Sequence, residues 1–281
     1  MPRRVDPLHL HLLGIDVIVR ASTVQMRELL GDLWAPFKAA AGPQGAAEIV
    51  IRDSGGSWDV EVLGRDRFET DDLWDLLDRV SSGLFQYVVL MGEGFLDIHA
   101  AVLAREELTV LVTGAPGAGK TTLTLEMLTS PKVSGWFYMS DDLAPIEVSS
   151  GQVWAFPKPL SIKDAERWPD LGKGWKGAGG LVAPTSTFPV PASGFPHLAD
   201  TKRSVSHIVF PNREKGPPAL DRVAPGLATY RLGCFVSSER MGPQALVLLA
   251  ELCGRVPCFD LVYEEVEQGL ALLEEAIETT A

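Results

Sequence analysis

The sequence predicts an α/β chain in two parts, a small α+β unit over residues 1–88 and a larger domain over 89–281. Three observations carry this. Runs of β-branched residues alternate with stretches of helical spacing along most of the chain. A glycine-rich segment, Gly114 to Thr121, stands directly between an apolar run and a helical one. The length of 281 residues, with 46% hydrophobic and 22% charged, allows one large core or two modest ones in an ordinary globule.

In the first part, Leu10 to Arg20 is apolar and β-branched (Ile15, Val17, Ile18, Val19), the pattern of one strand. Helical spacing follows over Ala21 to Ala40 at Val24, Leu29, Leu30, Leu33 and Phe37, with Ser22 and Thr23 as available caps. Residues 42–45 break it. Glu48 to Arg52 and Trp58 to Leu63 form two strands joined by the turn chemistry of Asp53-Ser54-Gly55-Gly56. A helix from Thr70 to Met91 carries Asp71, Asp72 and Asp75 at its start, where the helix dipole favours anions.

In the second part, His99 to Ala104 and Leu108 to Thr113 are expected as a hairpin turning at Arg105-Glu106-Glu107, and a helix is expected from Lys120 to Ser130. A strand from Trp136 to Met139 ends at Ser140-Asp141-Asp142, and a further hairpin turns near Ser149-Ser150-Gly151. From Pro157 to Pro218 regular periods are few apart from a strand at Ser206 to Phe210, and long irregular stretches are often functional. The end reads as helix (Pro243 to Cys253), strand (Val256 to Tyr263) and helix (Glu264 to Thr279).

Composition removes several classes of function. A net charge of −12 disfavours a nucleic-acid surface, which needs clustered Lys and Arg. No run approaches the roughly 18 apolar residues of a membrane span, and the N-terminal stretch lacks the apolar core of a signal peptide. The expected location is the cytoplasm. Cys234, Cys253 and Cys258 are odd in number, match no zinc spacing, and are expected to be small buried hydrophobes in a reducing compartment.

The segment Gly114-Ala115-Pro116-Gly117-Ala118-Gly119-Lys120-Thr121 meets the spacing G-x-x-x-x-G-K-T in full. Glycines let the backbone curl into a ring of inward N–H donors. The helix that starts there adds its positive end. Lys120 supplies a point charge for β- and γ-phosphates, and the Thr121 hydroxyl is a hard oxygen ligand for Mg²⁺. The strand–loop–helix setting separates this from a plain glycine turn, so ATP with Mg²⁺ is the expected ligand, held by residues 114–121 together with Thr122. Asp141 and Asp142, just past an apolar strand, suit magnesium binding or proton acceptance from an attacking hydroxyl. A surface turn is the plainer explanation of Ser-Asp-Asp.

Ile98-His99-Ala100-Ala101-Val102, then Val110 to Thr122, then Ser140-Asp141-Asp142 together resemble the HPr kinase/phosphorylase family, and more closely the HPr-kinase-related kinases of bacterial gene clusters. Phe156 to Lys163 and Phe210-Pro211-Asn212-Arg213 are similar to two further family runs. The resemblance covers about residues 90 to 265. It implies a P-loop kinase core of the HPr kinase/phosphoenolpyruvate carboxykinase type with a mixed sheet. It also implies transfer from ATP to a hydroxyl on a protein, peptide or small molecule, with Asp141 as the base and Asp142 supporting the metal. By the same analogy a homo-oligomer is expected. The loop departs from the regulatory enzymes in ending Lys-Thr-Thr rather than Lys-Ser-Glu, and their phosphorylase signature is missing. HPr itself is therefore not implied as the acceptor.

His99 is either a backbone-bonded core histidine or a group near the phosphates, partnering Asp141. Lys158, Lys163 and Arg213 are candidates to neutralise phosphate charge, or simply solvated cations. Asp170 to Gly180, rich in Gly and Lys, is a candidate lid or a plain loop. Trp154, Trp168 and Trp175 are expected to pack. A nucleotide-regulated binding module or acceptor-free ATPase stands as the competing class, and a catalytically idle descendant as a third.

Overall fold

The computed structural model describes residues 5–43, 45–163, 167, 168, 171 and 188–280. The described chain forms two compact units, one of residues up to 93 together with 158–194, the other of residues 94–157 and 195–281. Asp170 to Gly180, apart from Leu171, lies outside the described residues, as does Trp175.

The first unit is built on a five-stranded sheet of β1 (Leu8–Leu12), β2 (Ile15–Ala21), β3 (Ala47–Asp53), β4 (Trp58–Val62) and β5 (Asp66–Thr70), in that order. The single strand expected over Leu10 to Arg20 is instead a hairpin. Leu13 (φ 49°) and Gly14 (φ 84°) make a two-residue turn of left-handed backbone, and apolar residues on both sides of it hid the break. Helix α1 (Val24–Leu33) starts where the Thr23 hydroxyl accepts from the Met26 amide at 3.2 Å. It does not reach Ala40, because Pro36 starts a 3₁₀ turn over Ala35–Phe37. β2 and β3 are parallel across this helix, and the other pairings are antiparallel. The turn at residues 53–56 is as expected, with the Ser54 amide on the Ser57 carbonyl at 2.9 Å. Strand β5 was not anticipated. Its only buried side chain is Phe68, so the pattern was too weak to detect. Helix α2 (Leu73–Met91) is capped by Asp72, which accepts from the Trp74 amide at 2.7 Å. β12 (Leu160–Ile162) and β13 (Phe188–Val190) pair as a short antiparallel ribbon that belongs to this unit.

The second unit holds a mixed sheet of six strands: β16 (Ala219–Arg222), β17 (Cys258–Tyr263), β15 (His207–Arg213), β8 (Leu108–Thr113), β7 (Ala100–Arg105) and β9 (Phe137–Ser140). β8, β15 and β17 are mutually parallel, while β7, β9 and β16 run against their neighbours. Alternate side chains of β7 enter separate cores. Ala101 and Leu103 meet Leu123, Met127, Leu270 and Leu273 from α3 (Lys120–Thr129) and α6 (Val266–Thr280). Ala100, Val102 and Ala104 meet Leu232, Leu249 and Leu252 from α4 (Pro225–Gly233) and α5 (Pro243–Arg255). A sheet covered on both faces needs near-continuous apolar strands, and β7 and β8 are written that way. A second sheet, β14 (Lys202–Arg203), β11 (Val153–Trp154), β10 (Ala144–Glu147) and β6 (Phe95–Ile98), extends the second of these cores. The hairpin expected near Ser149 to Gly151 is the β10–β11 turn.

Helix α4 was missed because it is nine residues long, begins at a proline and buries only Ala228 and Leu232. Cys234, expected to be buried, is exposed just past the end of α4, whereas Cys253 and Cys258 are buried as free thiols. Among the described residues no helix is long and apolar enough to cross a membrane.

Candidate functional site

β8 passes straight from Thr113 into the glycine loop, and α3 begins at Lys120. Gly117 (φ 85°) and Gly119 (φ 97°) take the left-handed backbone that lets the loop curl over the amino end of α3. The Ala118 amide bonds the Ala115 carbonyl at 3.1 Å, and the Leu123 amide bonds the Gly119 carbonyl at 2.8 Å. The amides of the first turn of α3 have no acceptor within the helix, and a helix start of this kind attracts anions. Lys120 is 6% exposed, and its Nζ donates to the carbonyls of Gly114 at 2.8 Å and Ala115 at 3.3 Å. A cation is thus held at the loop by carbonyl groups of the loop itself. At Gly119 a Cβ would stand 2.4 Å from Tyr263 Oη, so a side chain there would strain the backbone and force Tyr263 aside.

The aspartate pair closes the opposite side. Asp141 is 1% exposed, and its Oδ2 accepts from Thr121 Oγ1 at 3.0 Å. Asp142 has φ 62°, left-handed backbone at the turn that follows β9. Its side chain is a third exposed. His99 Nδ1 donates to the Asp142 carbonyl at 3.2 Å, leaving Nε2 4.0 Å from Asp142 Oδ1. A carbonyl can only accept, so the proton on Nδ1 is fixed and Nε2 is the ring nitrogen turned to the carboxylate. His99 is itself pinned by its amide on the Phe235 carbonyl at 2.7 Å and by Thr113 Oγ1 on its own carbonyl at 2.9 Å. Tyr138, fully buried on β9, has its phenol held well above the ordinary range by burial, and further by the Asp141 and Asp142 carboxylates.

Residues 114–122, His99, Asp141 and Asp142 therefore converge on one end of the six-stranded sheet. Arg213 joins them from the carboxyl end of β15. Lys158 and Lys163 belong to the first unit. There the Lys158 Nζ bonds the Pro159 carbonyl at 3.4 Å and lies 5.6 Å from the Phe85 ring centre. Trp154 packs edge-on against Phe95 at 6.3 Å. Thr113 and Tyr263 went unnoticed in the sequence. The one available signal was that each ends a parallel strand, where α/β ligands gather.

Oxygen donors from Thr121 and Asp141, already in contact, suit a hard cation such as Mg²⁺. Among the described residues there is no group of three or more His, Cys, Asp or Glu side chains able to hold a metal alone.

No protein-family model matches the chain, and no curated protein matches it. Among solved structures it is similar to the Hpr(Ser) kinase/phosphatase from Coxiella burnetii. That likeness has a TM-score of 0.32 and 13% identity, over 65% of this chain and 92% of the other. A likeness so slight carries no weight for fold or chemistry.

Proposed function

We propose that the chain is an ATP-dependent phosphotransferase that moves the γ-phosphate to a hydroxyl of a protein, peptide or small molecule. The observation that carries this is the 3.0 Å contact of Thr121 with Asp141, which joins the start of the loop helix to the end of β9. A glycine turn of no function has no need of a carboxylate buried against its Thr. In this reading the loop amides and Lys120 bind the phosphate chain, and Mg²⁺, held through Thr121 and Asp141, supplies charge neutralisation.

The family resemblance implies Asp141 as the base and Asp142 as support for the metal. Accessibility favours the opposite division of labour. A base has to reach a proton on a substrate, and Asp141 is 1% exposed with one oxygen on Thr121. Asp142 is open to solvent and has His99 beside it. We therefore assign the acceptor's hydroxyl proton to an Asp142 carboxylate oxygen, with the His99 ring packed beside it.

The test is transfer of radiolabelled γ-phosphate into candidate acceptors, with ATP binding measured in parallel. Asp142→Asn is expected to keep ATP binding and lose transfer. Normal transfer by Asp142→Asn alongside loss in Asp141→Asn, with binding intact, returns the base to Asp141. Phosphate release that no acceptor alters marks an acceptor-free ATPase instead.

A further inference from the structure

We infer that Arg213 is a polyphosphate-binding residue of this site, adding a second cation to the phosphate chain beside Lys120. The inference rests on the glycine-loop reading and deepens it. β15 runs parallel to β8 and β17, so its last residues arrive level with the loop. The register pairs Arg213 with Tyr263, and Pro211 abuts the loop's first glycine, where a Cβ on Gly114 would lie 3.5 Å from the Pro211 carbonyl. At the loop's far end a Cβ on Gly119 would meet Tyr263 Oη at 2.4 Å and Arg213 Cβ at 4.0 Å. The stem of Arg213 thus leaves the sheet beside the residue that caps α3.

The head of Arg213 is held in a way that suits a ligand. Its Nε donates to the Glu264 carbonyl at 3.1 Å, which fixes the plane of the guanidinium and leaves both Nη groups for other partners. Among the described residues no carboxylate forms an ion pair with it. The nearest acidic neighbour in sequence, Glu214, accepts instead from Asn212 Nδ2 at 2.7 Å. A planar fork with two free ends matches the oxygens of adjacent phosphates, which a lysine would meet only as a point charge. Lys120 is bonded to the loop's own carbonyls, and the stem of Arg213 rises beside Gly119, so both cations stand at the same loop.

Calorimetric titration with MgATP and with magnesium tripolyphosphate, on wild type, Arg213→Ala and Arg213→Lys, tests this. The first ligand carries a base and ribose, and the second carries none. Loss of the fork is expected to weaken both ligands by the same factor, about tenfold or more for Arg213→Ala, with Arg213→Lys between that and wild type. The melting temperature should not move, since the side chain is exposed. Unchanged affinity in Arg213→Ala overturns the assignment while leaving the loop reading intact. So does weakening of MgATP alone, which would place Arg213 on the nucleoside. Wild-type protein that binds neither ligand overturns the loop reading, and this assignment with it.

Discussion

The loop end of the six-stranded sheet and the polar face of the five-stranded sheet use the same residue types for opposite purposes. On the five-stranded sheet, charges pair across neighbouring strands in the open: Arg20 with Glu48 at 2.8 Å, Arg67 with Asp59 at 2.9 Å. Each partner holds the other charged, so Glu48 and Asp59 sit below the usual carboxylate range because of their arginines. At the loop end, Lys120 and Asp141 are buried and bonded to a carbonyl and a hydroxyl. Glycines divide in the same way. Gly55 (φ 82°) has nothing within 4 Å of a would-be Cβ, whereas Gly119 is backed by Tyr263. Charge in solvent is worth little to stability. Charge held inside by specific neighbours is costly, and its persistence points to chemistry.

That contrast is sharpened most strongly by Lys120→Ala, which should weaken MgATP by roughly tenfold to a hundredfold. The comparison fails if calorimetry shows wild-type affinity. Asp142→Asn should slow transfer by about a hundredfold or more at unchanged ATP affinity, read from single-turnover label transfer. Gly119→Ala should lower stability by about 3 kcal/mol, from left-handed strain and the clash with Tyr263. Gly55→Ala has the strain alone and should cost about 1 kcal/mol, so equal losses in denaturant melts would erase the distinction between the two sites.

A buried acid away from the loop gives a pH signature. Asp97 on β6 is 5% exposed, and burial raises its carboxyl to about 7, against the partial offset of Arg240 with Nε 3.8 Å away. The folded state therefore holds a proton that the unfolded chain releases near pH 4. This contribution is complete below pH 4 and is lost as pH rises to 7. Asp97→Asn should flatten stability over that window by on the order of a few kcal/mol, and an unchanged slope would mean that Asp97 does not titrate there. At the small end, Arg67→Ala should leave the melting temperature within error and salt-insensitive. A clear loss would show the open ladder to be structural after all.

How much of this was legible depends on where the signal lay. The loop was readable because its chemistry is local in sequence, with glycines, Lys120 and Thr121 spaced by one turn of backbone. Strands β7 and β8 were readable because burial on both faces forces continuous apolar runs. The Leu13-Gly14 turn was not, since a turn inside an apolar run leaves no break in hydropathy. β5 and α4 bury too few side chains to impose a period. The pairing of His99 with Asp142 and the approach of Arg213 to Gly119 are products of strand order. No local pattern encodes that β15 inserts between β8 and β17.

The central claim is that residues 114–121 enclose a phosphate chain, and calorimetry of the wild-type protein with ATP, with and without magnesium, addresses it most directly. One saturable site is expected, with an affinity that rises when magnesium is present and falls in Lys120→Ala. Absence of any heat of binding, or binding indifferent to both magnesium and Lys120, would contradict it.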